Sequence, residues 1–257
     1  MSTTTARMAG TGNVVKAALV AIFTALTMAT IVMPTATAGA ADDSCANVEV
    51  VFARGTFEGP GVGDTGQAFV DALGARLPGK AIDVYGVNYP ASLDFSQAAA
   101  GVADATNRIQ QIADTCPATK IVLGGYSQGA AVAGYSTASA VPAGFALPAG
   151  ITGPMPASVA SHVAAVVMFG TPNSWFLSLA DRDAPAITIG APYAGKTLQL
   201  CATGDPVCYP GGLTRSAHSS YKFNGMADQA ADFVAQKLGN APRAAVLQTA
   251  GEVDPAN

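Results

Sequence analysis

The sequence predicts a three-layer α/β fold built on a five-stranded parallel sheet. Three observations carry that expectation. Five short runs are apolar and rich in β-branched residues, at 48–53, 81–87, 120–125, 163–169 and 197–201. Helical patterns separate the early runs. Half of the residues are hydrophobic and only 12% are charged, enough apolar side chain for one sizeable core. Strand and helix in alternation imply parallel strands joined by right-handed crossovers, with helices covering both faces.

Each element has its own warrant. The strand runs are four to eight residues long without polar alternation, as strands buried on both faces require. Residues 64–77 place Ala68, Phe69, Leu73 and Leu77 on one helical face, and 96–114 do the same with Val102, Ala105, Ile109 and Ile112. Residues 128–140 are small and apolar, suited to a helix packed closely on a sheet. A last helix near 225–238 presents Ala230, Phe233, Val234 and Leu238. The Pro/Gly-rich stretch 141–157 reads as an apolar loop. Residues 41–239 make one domain, and 240–257 carry little core signal and read as a flexible tail.

Residues 1–40 have the layout of an export signal that is removed. Arg7 and Lys16 precede the uncharged run 17–33, and small-residue cleavage sites follow at Ala36-Thr37-Ala38 and Ala38-Gly39-Ala40. The rival reading is a retained anchor, since 17 residues lie at the short limit for crossing a bilayer. The formal net charge is −4, and the signal contains two of the 13 basic residues and none of the 17 acidic ones. A mildly acidic chain without Lys/Arg runs is a poor candidate for binding nucleic acid, and no nucleic-acid partner is expected.

All four cysteines follow the signal, which in an exported chain implies two disulfides. No C-x-x-C or nearby His pair supports a metal site, so no metal or cofactor is expected. Cys45 and Cys116 each lie just before a strand, at one edge of a parallel sheet. Cys201 ends a strand at the opposite edge. A six-residue strand spans about 20 Å, whereas a bridge needs Cα atoms within about 7 Å. The pairs are therefore Cys45–Cys116 and Cys201–Cys208.

Gly125-Tyr126-Ser127-Gln128-Gly129 follows the third apolar run and opens a small-residue helix. A Ser on such a strand-to-helix turn is the nucleophile elbow of an α/β-hydrolase-like fold. A serine needs a base, and the chain has two histidines. His162 stands just before the fourth strand, at the wrong edge. His218 lies in the loop LTRSAHSSY, after the last strand. The orienting carboxylate falls between Ser127 and His218 in chain order, near the carboxyl edge of the sheet, and Asp205, inside the loop Cys201–Cys208, is the favoured choice over Asp181 and Asp183.

The motifs V-F-A-R-G-T at 51–56, G-Y-S-Q-G at 125–129, C-x-x-x-D-x-x-C at 201–208 and A-H at 217–218 resemble the cutinase family of fungi and actinobacteria. The resemblance runs in order from Cys45 to about Leu238. It implies a secreted serine esterase without a large lid, with Ser127 as nucleophile, His218 as base and Asp205 as its orienter. It further implies an oxyanion hole of the Gln128 backbone N–H and Thr56, where fungal relatives commonly carry Ser. The expected substrates are small-molecule or polymeric esters of short to medium acyl chains, such as cutin-like polyesters or lipids. The expected state is a monomer, associated with a cell wall or lipid surface. Phe57, Tyr89, Leu213 and the 141–157 loop are expected to line an acyl groove. An acetylxylan esterase or acyltransferase on the same scaffold is the alternative, and an inactive secreted binding protein a more distant one.

Overall fold

The computed structural model describes residues 45–141, 147 and 151–240. The export-signal reading of 1–40, and all but the first residue of the tail 240–257, lie outside the described residues.

Five parallel strands form the centre: β1 (Val48–Ala53), β2 (Ile82–Gly86), β3 (Lys120–Tyr126), β4 (Val163–Phe169) and β5 (Thr197–Leu200), in the order β2-β1-β3-β4-β5. The strand that carries the serine is thus the middle one. Successive side chains of a strand point to opposite faces, so the sheet has two cores. Val48, Val50 and Phe52 face α1 (Gly63–Arg76) and the final helix. Val51 and Ala53 face α2 (Ala98–Thr115) and α3 (Gln128–Ser136). The first core closes on Phe52, Phe69 and Phe169, all fully buried, with ring centroids 6.1–6.3 Å apart. Each such side chain contributes on the order of 2–3 kcal/mol on leaving water. In the second, the buried Glu49 pairs with Arg108 at 2.5 Å.

Four shorter helices were not signalled by periodicity: α4 (Ala157–Ala160), α5 (Ser174–Ala180), α6 (Ala191–Ala194) and α7 (Arg215–His218). The last, α8 (Met226–Lys237), falls within the expected range. The third helix stops at Ser136 rather than 140. There the Ser136 and Thr137 hydroxyls donate to the carbonyls of Val132 and Gly134, and Gly190 N–H bonds the Thr137 carbonyl. Hydroxyl back-bonding of this kind competes with continued helix. β2 also differs from the buried strand expected. It is an edge strand, partly exposed along its length, with Val84 facing solvent.

The cysteines pair as Cys45–Cys116 and Cys201–Cys208, with Cα–Cα distances of 5.7 and 5.8 Å. In the loop-entropy model these bridges contribute about 4.4 and about 2.5 kcal/mol. The first fastens the amino-terminal edge of the sheet. The second closes the loop that carries Asp205 at the carboxyl edge.

Candidate active site

Ser127 stands between β3 and α3 with φ 55° and ψ −118°, a backbone region that non-glycine residues rarely adopt. Holding it there costs on the order of 1–3 kcal/mol, carried by the surrounding packing. Its N–H is fixed to the Phe169 carbonyl at 2.9 Å. The two glycines of the motif are needed for contact rather than flexibility. A Cβ at Gly125 would collide with the Gly129 carbonyl, and one at Gly129 with the carbonyls of Ala53 and Arg54. Only Gly at both positions lets α3 start so close to β1 and β3.

His218 ends α7 and turns its ring to the serine, with Nε2 2.8 Å from Ser127 Oγ. Its Nδ1 lies 2.9 Å from both carboxylate oxygens of Asp205. The imidazole remains 21% exposed, whereas Asp205 is fully buried. The structure thus brings together three residues from the β3 elbow, the Cys201–Cys208 loop and α7. His162 sits immediately before β4, at the opposite edge. Asp181 and Asp183 follow α5 and line a cavity with Phe95 and Leu177, without contact to His218.

Asp205 owes its ionisation to its partners. Burial opposes the charge, but hydrogen bonds from His218, the Tyr221 hydroxyl (2.5 Å) and the Val207 N–H (2.8 Å) outweigh it and hold the carboxyl below its ordinary range. Tyr221, wholly buried, also accepts from Ala202 N–H at 3.0 Å. Burial first, then the bond to Asp205, pushes its phenol far up, so it stays a donor. Tyr126, inside the elbow, donates to the His218 carbonyl at 2.6 Å and lays its ring 5.1 Å from the imidazole. Sequence reasoning singled out neither tyrosine. The only available signal was their place beside the motif serine and in the loop after His218.

Because the folded carboxyl of Asp205 is depressed, its contribution to stability is present above the unfolded carboxylate range and is lost as pH falls through the folded value. Tyr221→Phe removes one of the donors that depress it. The variant is expected to lose about 1–3 kcal/mol of stability at neutral pH, to begin acid unfolding at higher pH than wild type, and to lose about tenfold in kcat. That loss is far smaller than the ~10⁴-fold effect of disturbing an orienting carboxylate outright. Acid titration of the melting temperature, with kcat measured beside it, checks the sign. An unchanged acid midpoint contradicts the role.

Thr56 follows β1 in a loop pinned by Arg54. The Arg54 guanidinium donates to the carbonyls of Glu58 (2.9 Å), Val87 (3.2 Å) and Tyr89 (2.6 Å). The Glu58 carboxylate accepts from the N–H groups of Gly55 (2.6 Å) and Asp64 (2.8 Å). This frame brings Thr56 Oγ1 to 3.5 Å from the Gln128 amide oxygen, while Gln128 Nε2 is held by the Ser92 carbonyl at 3.0 Å. Gln128 is the first residue of α3, where a backbone N–H has no partner inside the helix and the helix end favours negative charge.

The expected acyl groove needs correction. Tyr89 is buried and its hydroxyl donates to the Arg54 carbonyl, so it is structural support. Residues 147, 151 and 153–155 of the Pro/Gly-rich loop line a cavity beside Val102, Thr106 and the end of α3, away from the elbow at the helix start. Phe57 and Leu213 do stand exposed at the carboxyl edge.

A strained serine between the central parallel strand and a helix, with Asp and His following in that order from later loops, defines an α/β hydrolase. The chain belongs to the cutinase family, whose profile matches residues 44–238, and it is a carboxylesterase of that family. It is 44% identical to carboxylesterase Culp1 of Mycobacterium tuberculosis over 224 residues, 87% of this chain and 96% of the relative. It is 44% identical to phospholipase Culp4 of the same organism over 214 residues, 83% and 88% of the two chains. Among solved structures, Trichoderma reesei cutinase bound to a phosphonate inhibitor matches with a TM-score of 0.56 and 33% identity, covering 76% of this chain and 77% of that one. An acetylxylan esterase matches with a TM-score of 0.62 and 26% identity, covering 76% and 100%. The two disulfides fit an oxidising compartment.

Proposed function

We propose that the chain hydrolyses carboxylic esters through an acyl-enzyme on Ser127. The observation that carries this reading is the relay of contacts from Ser127 Oγ to His218 Nε2, 2.8 Å, and from His218 Nδ1 to Asp205, 2.9 Å. Ser127 Oγ attacks the ester carbonyl while its proton passes to His218 Nε2. Asp205 holds the Nδ1–H tautomer and stabilises the imidazolium. The tetrahedral oxyanion accepts hydrogen bonds from the Gln128 N–H and from Thr56. His218 returns the proton to the departing alcohol. Water then repeats the sequence on the acyl-enzyme, and the acid leaves.

The substrate class we assign is esters of short to medium acyl chains presented by lipids or polyesters, outside the cell or at its wall. Kinship with a carboxylesterase and a phospholipase, and the partly exposed imidazole, support it. Kinship with an acetylxylan esterase favours the second reading, deacetylation of a polysaccharide. Initial rates on p-nitrophenyl esters of increasing chain length, phosphatidylcholine, a polyester and acetylated xylan separate the two. Butanoyl to octanoyl esters are expected to exceed acetylated xylan by at least about tenfold in kcat/KM, the discrimination that one or two methylenes supply in an apolar site. Faster acetate release from xylan sinks the first reading in favour of the second.

A further inference from the structure

The base is held by more than its carboxylate. Tyr126 is the last residue of β3 and stands next to Ser127, so the strand that presents the nucleophile also fixes this ring. Its hydroxyl donates to the His218 carbonyl at 2.6 Å, across 92 residues of sequence. Burial first, then the Glu58 and Asp205 carboxylates, push the phenol far up, so it remains a donor. The ring centroid lies 5.1 Å from that of the imidazole, with the two planes 32° apart. The same ring bounds the loop after β1: a Cβ at Gly55 would stand 2.6 Å from it, and Gly55 adjoins Thr56. Tyr221 adds a second wall, its ring 5.7 Å from Tyr126 and, edge-on, 6.4 Å from the imidazole.

The two parts of Tyr126 act differently. An aromatic ring attracts a cation held within about 6 Å of its centre. The imidazole is a cation only while it holds the serine proton. The attraction is therefore stronger in the transition state than before reaction, which is the condition for raising kcat. The hydroxyl acts on the main chain. α7 has four residues, a single turn with little rigidity of its own, and the carbonyl of His218 at its end has no partner within the helix. The bond from Tyr126 ties that carbonyl to the serine's strand.

We infer that Tyr126 is a positioning residue for the base: its hydroxyl registers the His218 main chain against the serine strand, and its ring, packed against both the imidazole and the Gly55–Thr56 loop, spaces His218 from that loop and stabilises the imidazolium. The inference rests on the proposed esterase reading and deepens it, and it gives Tyr126 no bond-making step. An aromatic residue that merely fills the core would affect stability, without a kinetic signature.

Tyr126→Phe keeps the ring and deletes the hydroxyl, whereas Tyr126→Leu deletes both. The test measures kcat and KM on p-nitrophenyl butanoate. Sites are counted by titration with a p-nitrophenyl alkylphosphonate, so that unfolded protein does not enter kcat. Tyr126→Phe is expected to lose about threefold in kcat. Tyr126→Leu should lose about thirtyfold, the upper scale of one desolvated cation–ring contact. KM should stay within about twofold in both. Proton NMR reads the hydroxyl separately. The proton shared by His218 Nδ1 and Asp205, expected far downfield in wild type, should broaden or vanish in Tyr126→Phe as His218 loses its tether. Tyr126→Phe keeps the core filled, and Tyr126→Met replaces Tyr126→Leu if the latter fails to fold. A ringless variant within about threefold of wild-type kcat, equal losses with and without the ring, a loss confined to KM, or an unchanged Nδ1 proton in Tyr126→Phe overturns the inference. Failure of the esterase reading would appear elsewhere, as soluble-ester activity that survives Ser127→Ala.

Discussion

Ser127→Ala is expected to lower kcat on a soluble ester by at least about 10⁴-fold while moving the melting temperature little. On the proposed mechanism, loss of the Ser127 hydroxyl leaves only the catalysis that binding and the oxyanion donors supply. The fold should tolerate the change. Alanine is smaller than serine, the strained φ of 55° is no worse for it, and the N–H bond to Phe169 does not involve the side chain. His218 Nε2 loses its partner, but the ring keeps Asp205 and the exposure that lets water replace the hydroxyl. Stopped assays with excess enzyme, compared with a thermal melt, give both numbers. A variant that keeps more than about a tenth of wild-type kcat excludes Ser127 as the nucleophile.

The second large effect separates the two histidines. His218→Ala is expected to cost about 10³–10⁴-fold in kcat, and His162→Ala less than about twofold. The contrast follows from topology alone: parallel strands put His162 at the amino edge and His218 at the carboxyl edge, where Ser127 lies. His218→Ala also leaves the buried Asp205 carboxylate with only the donors Tyr221 and Val207, so the variant can be destabilised. His218→Gln, which can still donate to that carboxylate, supplies the control. Its kcat should be as low as that of the alanine variant. Equal losses at positions 162 and 218 would contradict the account.

Most of the fold was legible because buried parallel strands are continuous apolar runs. All five strands match their expected ranges to within a residue at either end, and β1, β3 and β4 are covered on both faces. β2 and β5 lie at the sheet's edges, where one side has no neighbour to cover it, and apolar content alone does not distinguish an edge from a centre. The helices α4 to α7 have four to seven residues, at most two turns, too few for a 3.6-residue period to register. The site divides in the same way. Ser127, Asp205 and His218, which the structure brings into contact, could be proposed together because chain order and sheet edge constrain them. Tyr221, Tyr126 and Arg54 could not, since each acts through a contact far away in sequence. Tyr221 reaches Asp205 across 16 residues, Tyr126 reaches His218 across 92, and Arg54 reaches Tyr89 across 35. Tyr89 illustrates the opposite case: an aromatic residue after the second strand reads as groove lining, whereas its hydroxyl turns inward and donates to the Arg54 carbonyl.

The central claim is that Ser127 is a nucleophile activated by His218. A p-nitrophenyl alkylphosphonate tests it without reference to any natural substrate. Ser127 Oγ forms a bond to phosphorus, p-nitrophenolate leaves, and the serine proton passes to His218, so one covalent adduct forms per active site. Intact-mass spectrometry followed by peptide mapping should find a single phosphonyl group on the peptide containing Ser127. It should find none on Ser127→Ala, and labelling of His218→Ala slowed at least about 10³-fold. Undiminished labelling of Ser127→Ala, or an adduct mapped to any other residue, would contradict the account.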